Sequence, residues 1–352
     1  MIRLLALTML LWVASGCRAQ ESPPPLESQR SVDVQQPLTH RPVAAPPAVT
    51  GRQPLLWVSL AAHLGARADA APLTLTAASG SLSLEDRSGR RWSAASVQIS
   101  WRSVPLEQPL ALARRVAGPF ASFESAERVA LRWRALGVAA EVAHPADWEV
   151  WAPAGAPAPG DLPVRDWSSR LESSVEPVLQ LPEGGTMLKG PSQIDAPGGL
   201  RWGKGVFQGP FRLQRDAYGS WTLVEQVPLE RYLEGVVPHE IGAGSPQAAL
   251  QAQTVLARTW ALANSHRFRI DGYHLCSDTQ CQVYSDPRQA GQAVRQAITA
   301  TQGRLLSWQG KPISAVYHAT NGGVMAAGPE AWAMDAQPYL KAEADGDAGW
   351  QQ

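Results

Sequence analysis

The chain carries no excess charge of either sign, with 31 Lys and Arg against 31 Asp and Glu in 352 residues. A neutral chain has no long-range pull on a polyanion, and no basic stripe appears further along, which excludes a nucleic-acid partner. Charged side chains are scarce altogether at 18%, while apolar residues make up 45%, so roughly one large or two to three small domains can have proper cores. Cysteine is nearly absent, with Cys17, Cys276 and Cys281 the whole complement. No ordered Cys-His-Asn arrangement is visible for thiol catalysis, and no His/Glu/His set with an open metal position for a zinc amidase. Phe and Tyr are few, five and six, against fourteen Trp. Flat indole faces suit the apolar side of a sugar ring and suit a protein core equally well.

Long apolar runs are lacking as well. The first residues have one basic side chain, Arg3, then an apolar stretch from Leu4 to Ala14 that is short for a bilayer span and has the shape of an export signal. It ends at Ala14-Ser15-Gly16-Cys17, which resembles the lipobox of bacterial lipoproteins and would make Cys17 a lipidated mature N-terminus. Ordinary cleavage near Ala19, or a plain membrane anchor, are the other readings. Each places the protein outside the cytoplasm, as a lipoprotein or in the periplasmic or extracellular space. Residues 18–54, with the run Pro23-Pro24-Pro25, have no sustained period and read as a tether.

Residues 55–153 read as a small α/β module. Leu73 and Leu75, then Leu82 and Leu84, alternate with small or polar residues as in half-buried strands. From 110 to 153 the order is strand, Gly-Pro turn, helix, Gly137 stop, strand, turn and strand. Ala126, Val129, Ala130, Trp133 and Leu136 form the helix's apolar stripe, with Ser122 or Ser125 as its cap. Val116, Gly118-Pro119-Phe120, Ser122, Ala126, Leu136-Gly137-Val138 and Trp148-Glu149-Val150 carry a weak resemblance to the SPOR domain, which binds glycan strands stripped of stem peptides. A linker or entry segment is expected over 154–189, opened by the run at 154–163.

The remainder, 190–345, reads as α+β, with mixed helices and antiparallel sheet. A β-rich entry leads to a short helix over 229–236 that Pro238 ends. Ser245-Pro246 then opens a long helix, Ser as cap and Pro at the first position, with a stripe of Ala249, Ala252, Leu256, Thr259 and Ala263. A hairpin is expected near 305–325, turning at Gln309-Gly310, followed by the loop Asn321-Gly322-Gly323.

Several ordered stretches here resemble the SpoIID/LytB family, the sporulation stage II protein D and amidase-enhancer domain. They are Pro228-Leu229-Glu230 with Tyr232-Leu233, Gly235-Val236-Val237-Pro238 with Glu240, Leu250 to Gln253, and Ala257-Arg258-Thr259. Cys276, Cys281-Gln282-Val283-Tyr284, Thr301-Gln302-Gly303 and Asn321-Gly322-Gly323 complete the set. The resemblance implies a lytic transglycosylase that cuts between N-acetylmuramic acid and N-acetylglucosamine and leaves a 1,6-anhydro end, with the acid at Glu240. It also implies the alternative of a non-catalytic binder of peptidoglycan strands that stimulates a cell-wall amidase.

The chemistry of a lone Glu fits the first alternative. A glycosidic oxygen leaves only once protonated, and a nucleophile carried by the substrate removes the need for a second carboxylate. Val237 and Ile241 would raise the pKa of Glu240. Capping a turn, or pairing with Arg258, is its structural reading. Glu230 and Glu234 are the reserve acids, otherwise framework. Arg258 would bind a substrate carboxylate or acetamido oxygen, or brace Glu240, and Tyr284, Thr320, Asn321 and Gly322 are the candidate sugar contacts. No cofactor is required for this chemistry. His274, Cys276 and Cys281 could hold a structural zinc, completed by His266 or His318. Family members that look like zinc proteins often carry His just before the second Cys, where this chain has Gln280. A Cys276–Cys281 disulfide is the alternative.

Overall fold

The computed structural model describes residues 37–345. The signal segment 1–17, Cys17 and tether residues 18–36 lie outside the described residues. The chain begins with β1 (Leu55–Leu64), β2 (Leu73–Ala77), β3 (Leu82–Glu85), β4 (Arg91–Ala94) and the long β5 (Ser96–Phe120). After α1 (Phe123–Ala135) come β6 (Glu141–Ala143), β7 (Trp148–Pro153), β8 (Val164–Leu181) and β9 (Gly184–Met187). Short strands β10 (Ser192–Asp195), β11 (Leu200–Trp202), β12 (Gly205–Phe207) and β13 (Phe211–Arg215) lead to β14 (Trp221–Pro228). The helical part is α2 (Leu229–Val237), a wide turn at Pro238–Gly242, α3 (Gln247–Ala263), the two-residue β15 (Leu275–Cys276) and α4 (Gln292–Ala300). Among the described residues no helix is long and apolar enough to cross a membrane.

The fold is α+β, as the sequence leads one to expect, with strands that are almost all antiparallel. A seven-stranded sheet has the order β15-β1-β14-β13-β10-β3-β4, and an eight-stranded sheet contains β12-β11-β2-β5-β7-β6 with β8 pairing β5 and β9 pairing β8. Leu56, Val58, Leu75, Leu84, Ile99, Phe211, Leu223 and Tyr232, drawn from both sheets and from α2, share one buried core.

That core corrects the expected division at residues 153 and 190. β1 pairs antiparallel with β14, Leu55 opposite Pro228, and parallel with β15, Ser59 opposite Cys276. Residues 55–64 therefore belong to the sheet that supports α2. The segment expected as linker, 154–189, holds the strand Val164–Leu181, paired with β5 from Gln98–Gln180 to Ala117–Val164. Ser168, Arg170 and Glu172 gave it a polar look because the ladder satisfies the backbone while those side chains point outward. Part of the expected tether is fixed as well. Leu38 exchanges backbone hydrogen bonds with Ala111 and Ala113, and the Pro47 carbonyl accepts from His274. Proline-rich chain can lie on a fold when its carbonyls find donors, since it has few N–H groups of its own to satisfy.

Local expectations for α1 hold. Ser122 caps it, accepting from the Ser125 N–H at 3.2 Å, and Ala126, Val129, Ala130 and Trp133 are buried. Leu136 falls outside the stripe and is exposed. The long helix differs at its start: Pro246 occupies the cap position, and the Ser245 hydroxyl turns back to the Ile241 carbonyl at 2.7 Å. Its packed face is Leu250, Gln253, Thr254, Ala257, Arg258, Thr259, Trp260 and Ala261; of the expected stripe Thr259 is buried, while Ala252 is exposed. Buried polar residues rotate the true face away from the one that small residues suggest.

Candidate active site

Pro238 has no N–H to continue the ladder of α2, and the chain widens there into a single π-type turn, Pro238–Gly242. Gly242 ends the turn at φ 83°, a backbone conformation that suits glycine. Val236 and Val237 are fully buried just before it, and Ile241 packs on the same core. The turn thus holds Glu240 half-buried at the edge of the apolar interior.

A second segment comes up to meet it. Cys276 and Cys281 are joined by a disulfide with their Cα atoms 5.7 Å apart, and residues 282–285 run past α2. Gly235 permits the approach: a Cβ there would lie 2.5 Å from the Ser285 carbonyl oxygen and 2.5 Å from the Tyr284 ring. Side chains alternate along this stretch, with Gln282 and Tyr284 buried and Val283 36% exposed. The buried Gln282 accepts from the Tyr232 hydroxyl at 3.2 Å and donates to the Tyr317 hydroxyl at 3.0 Å and to the Ala257 carbonyl at 3.4 Å.

The Tyr317 hydroxyl and the Val283 backbone N–H are the donors nearest the Glu240 carboxyl. Burial pushes the Glu240 carboxyl above its ordinary value, and these two donors and the nearby His239 oppose the shift without cancelling it. Burial, then the neighbouring Glu240 charge, likewise holds Tyr317 well above the usual phenol range. The phenol stays neutral and remains a donor.

Glu240 opens into a cleft of about 410 Å³, within the range of ligand-holding sites. Trp260, Tyr317 and Trp332 supply aromatic surface, Val283 and Val316 aliphatic surface, and Thr279 and Gln280 polar groups. Ser122, Phe123 and Glu124 at the start of α1 also line it. A carboxyl whose pKa is raised by burial, in a groove lined largely by aromatic and polar side chains, can deliver a proton to an oxygen between two saccharide rings.

Residues 217–308 match the family model described as Stage II sporulation protein, SpoIID. This part of the chain is thus similar to the SpoIID family. The chain is 37% identical over 134 residues to Stage II sporulation protein D of Bacillus amyloliquefaciens, a stretch covering 34% of this chain and 38% of that one. It is 36% identical over 113 residues to the amidase enhancer of Bacillus subtilis, covering 32% of this chain and 15% of the relative. An uncharacterized protein of Brachyspira hyodysenteriae is 32% identical over 127 residues, 34% of this chain and 33% of its own. The matches thus span 38% or less of each of these relatives.

Within and beyond the SpoIID segment, the other expected site residues take different places. Arg258 is 1% exposed and braces Glu230, not Glu240: Nε and Nη2 donate to its two carboxylate oxygens at 2.9 and 2.7 Å, and Nη1 reaches the Arg304 carbonyl at 3.0 Å. A guanidinium so fully engaged has no donor to offer a sugar, and Glu230, so paired, is no reserve acid. Glu234 lies 3.7 Å from both Arg231 and Arg295. Tyr284 is corrected from sugar contact to core, because it is 4% exposed and its hydroxyl donates to the buried Glu225 at 2.9 Å. Thr320, Asn321 and Gly322 do not line the cleft; Asn321 donates to Asp345 at 2.9 Å in a separate loop.

The zinc donors do not fit a metal. Both sulfurs are in the disulfide, and His274 accepts at Nδ1 from the Trp57 N–H and donates at Nε2 to the Pro47 carbonyl, each at 2.8 Å. Burial lowers the His274 pKa, keeping the ring neutral in that tautomer. His266 pairs with Glu127 at 2.6 Å, and His318 is exposed. Sequence reasoning missed Tyr317 and Gln282. Gln282 stood inside a recognised stretch, but only the alternation along 282–284 shows which way it turns, and Tyr317 comes from a segment whose local pattern says nothing of Glu240.

Proposed function

We propose that the chain is a lytic transglycosylase of peptidoglycan glycan strands, with Glu240 as acid and then base. The observation that carries this reading is the half-buried Glu240 carboxyl, raised in pKa by its surroundings and facing an aromatic-lined cleft. The SpoIID match and the amidase-enhancer relative support a role at the cell wall.

Protonated Glu240 gives its proton to the oxygen bridging N-acetylmuramic acid and N-acetylglucosamine. The bond from that oxygen to C1 of the muramic ring breaks, and the leaving chain departs as an alcohol. The carboxylate left behind is stabilised by the Tyr317 hydroxyl and the Val283 N–H. The 6-hydroxyl of the same muramic ring then attacks C1 and returns its proton to Glu240, which closes the 1,6-anhydro ring and consumes no water. Position, and not a second carboxylate, supplies the nucleophile.

Incubation of the purified chain with peptide-free glycan strands tests the reading. Anhydromuramic ends that disappear in Glu240→Gln are expected. Strand binding without such products would instead favour the second reading, a modulator of a cell-wall amidase, to which the resemblance to an amidase enhancer lends weight. Attachment through a lipid on Cys17 belongs to the same proposal for either role, since both need the protein beside the wall.

A further inference from the structure

The cleft is built from more of the chain than the SpoIID match. One part of its wall is Ser122–Glu124, upstream of the matched residues 217–308. Arg267 fixes that wall. Its guanidinium is 5% exposed and lies 4.4 Å over the Phe123 ring and 4.8 Å over the Trp260 ring. It donates to the Glu124 carboxylate, to Asn264 Oδ1 at 3.0 Å and to the Gln280 carbonyl at 3.3 Å. One cation thereby ties α1 to the end of α3 and to the disulfide loop. Trp148 adds a second tie, donating from Nε1 to Gln280 Oε1 at 3.0 Å.

A wall held this way does not swing aside, so a ligand that reaches Glu240 must fit against it. The groups it presents are neutral. The Glu124 charge is answered by the buried Arg267, and the half-buried Ser122 hydroxyl and the Gln280 side chain line the cleft with Trp332. Hydroxyl, carboxamide and indole together suit a ring carrying hydroxyls and an acetamido group. They offer no free cation for a carboxylate.

We propose that Ser122–Glu124, positioned by Arg267, form a saccharide-contacting wall that recognises an uncharged N-acetylhexosamine ring next to Glu240. This rests on the glycan reading of the Glu240 cleft and adds to it a specificity element lying outside the SpoIID segment.

The test uses the full chain with Glu240→Gln and a neutral β-1,4-linked N-acetylglucosamine tetramer, followed by tryptophan fluorescence and calorimetry. Ser122→Asp keeps the helix cap, since Asp accepts from the same N–H, but puts a carboxylate in the wall. It should weaken tetramer binding about tenfold or more by steric mismatch and loss of the hydroxyl donor, with the circular-dichroism spectrum unchanged. Ser122→Asn also caps and adds bulk without charge; it should weaken binding less, and it serves if the Asp variant fails to fold. Equal affinity in folded Ser122→Asp and its parent overturns the proposal, as does a parent that does not bind while Ser122→Asp leaves strand cleavage by the Glu240 chain unchanged. Failure of the transglycosylase reading looks different: no anhydromuramic products, yet tetramer binding that still responds to Ser122.

Discussion

Gln282 donates from Nε2 to the hydroxyl oxygen of Tyr317 at 3.0 Å. Since that oxygen already accepts, its single proton is free to point at Glu240, and Tyr232 fixes the carboxamide from behind at 3.2 Å. The Tyr317 bond favours the ionised form of Glu240. Removing it in Tyr317→Phe should raise the carboxyl's pKa further and move the basic limb of the pH–rate profile upward. The rate itself should fall about tenfold or more, because the carboxylate formed after proton transfer loses a charge-assisted hydrogen bond. An unmoved basic limb would count against this role for Tyr317.

Glu240→Gln should abolish anhydromuramic products while leaving the protein at least as heat-stable at neutral pH. The carboxyl's folded pKa lies above its unfolded value, so the native state binds the proton more readily. Stability is lost as pH rises through that interval, and a neutral amide removes the loss. Melting curves at pH 5 and pH 8 check the sign: the wild-type midpoint should drop relative to the variant at the higher pH.

The parts of the molecule legible in sequence are those with local causes. Ser122 announces the start of α1, Pro238 ends α2, and Gln309-Gly310 turn the hairpin with both residues at positive φ. Glu240 could be singled out through the resemblance to the SpoIID/LytB family, with the Pro–Gly-punctuated break and the neighbouring Val237 and Ile241 consistent with a place to hold one carboxyl. Nothing local to LLWVSLAAHL says that its partner is Trp221–Pro228, and no period in 154–189 reveals that Val164–Leu181 runs along β5. Arg258 shows the same limit: a buried arginine reads as a ligand group until its carboxylate, 28 residues upstream, is seen.

Arg258→Met should destabilise the fold by about 3 kcal/mol or somewhat less, because Glu230 keeps partial contact with solvent and so part of its hydration. Adding Glu230→Gln should recover much of that loss, since the orphaned charge is then gone. Urea unfolding of the single and double variants measures both effects. A catalytic role for Arg258 would instead lower activity in the double variant with stability restored.

Asp271 gives a second pH signature away from the cleft. It is 2% exposed, and burial, with the Asp216 charge behind it, pushes its carboxyl up to about 8. Between about pH 4 and about 8 the folded chain keeps this proton and the unfolded chain has lost it, so stability falls as pH rises across that window. Asp271→Asn should flatten the dependence of the melting midpoint on pH. The amide oxygen can still accept from the Tyr218 hydroxyl, which lies 2.9 Å from Asp271 Oδ2. An identical slope in wild type and variant would show that another group carries it.

The Cys276–Cys281 bridge closes a loop of few residues, so it adds little to global stability by restricting the unfolded chain. Its effect should be local. Gln280 and Cys281 line the cleft, and next along the chain Gln282 donates to Tyr317 and the Val283 N–H lies near Glu240. Reduction, or Cys276→Ser with Cys281→Ser, should therefore leave the melting midpoint nearly in place yet lower the cleavage rate and shift its pH profile, as the two donors to Glu240 lose their aim. A chelator should do neither, because His274 and both sulfurs are already committed to other partners. Loss of activity on chelation, restored by zinc, would mean that the cysteines hold a metal in solution and that the pinning of Glu240 depends on that ion instead of on a covalent bond.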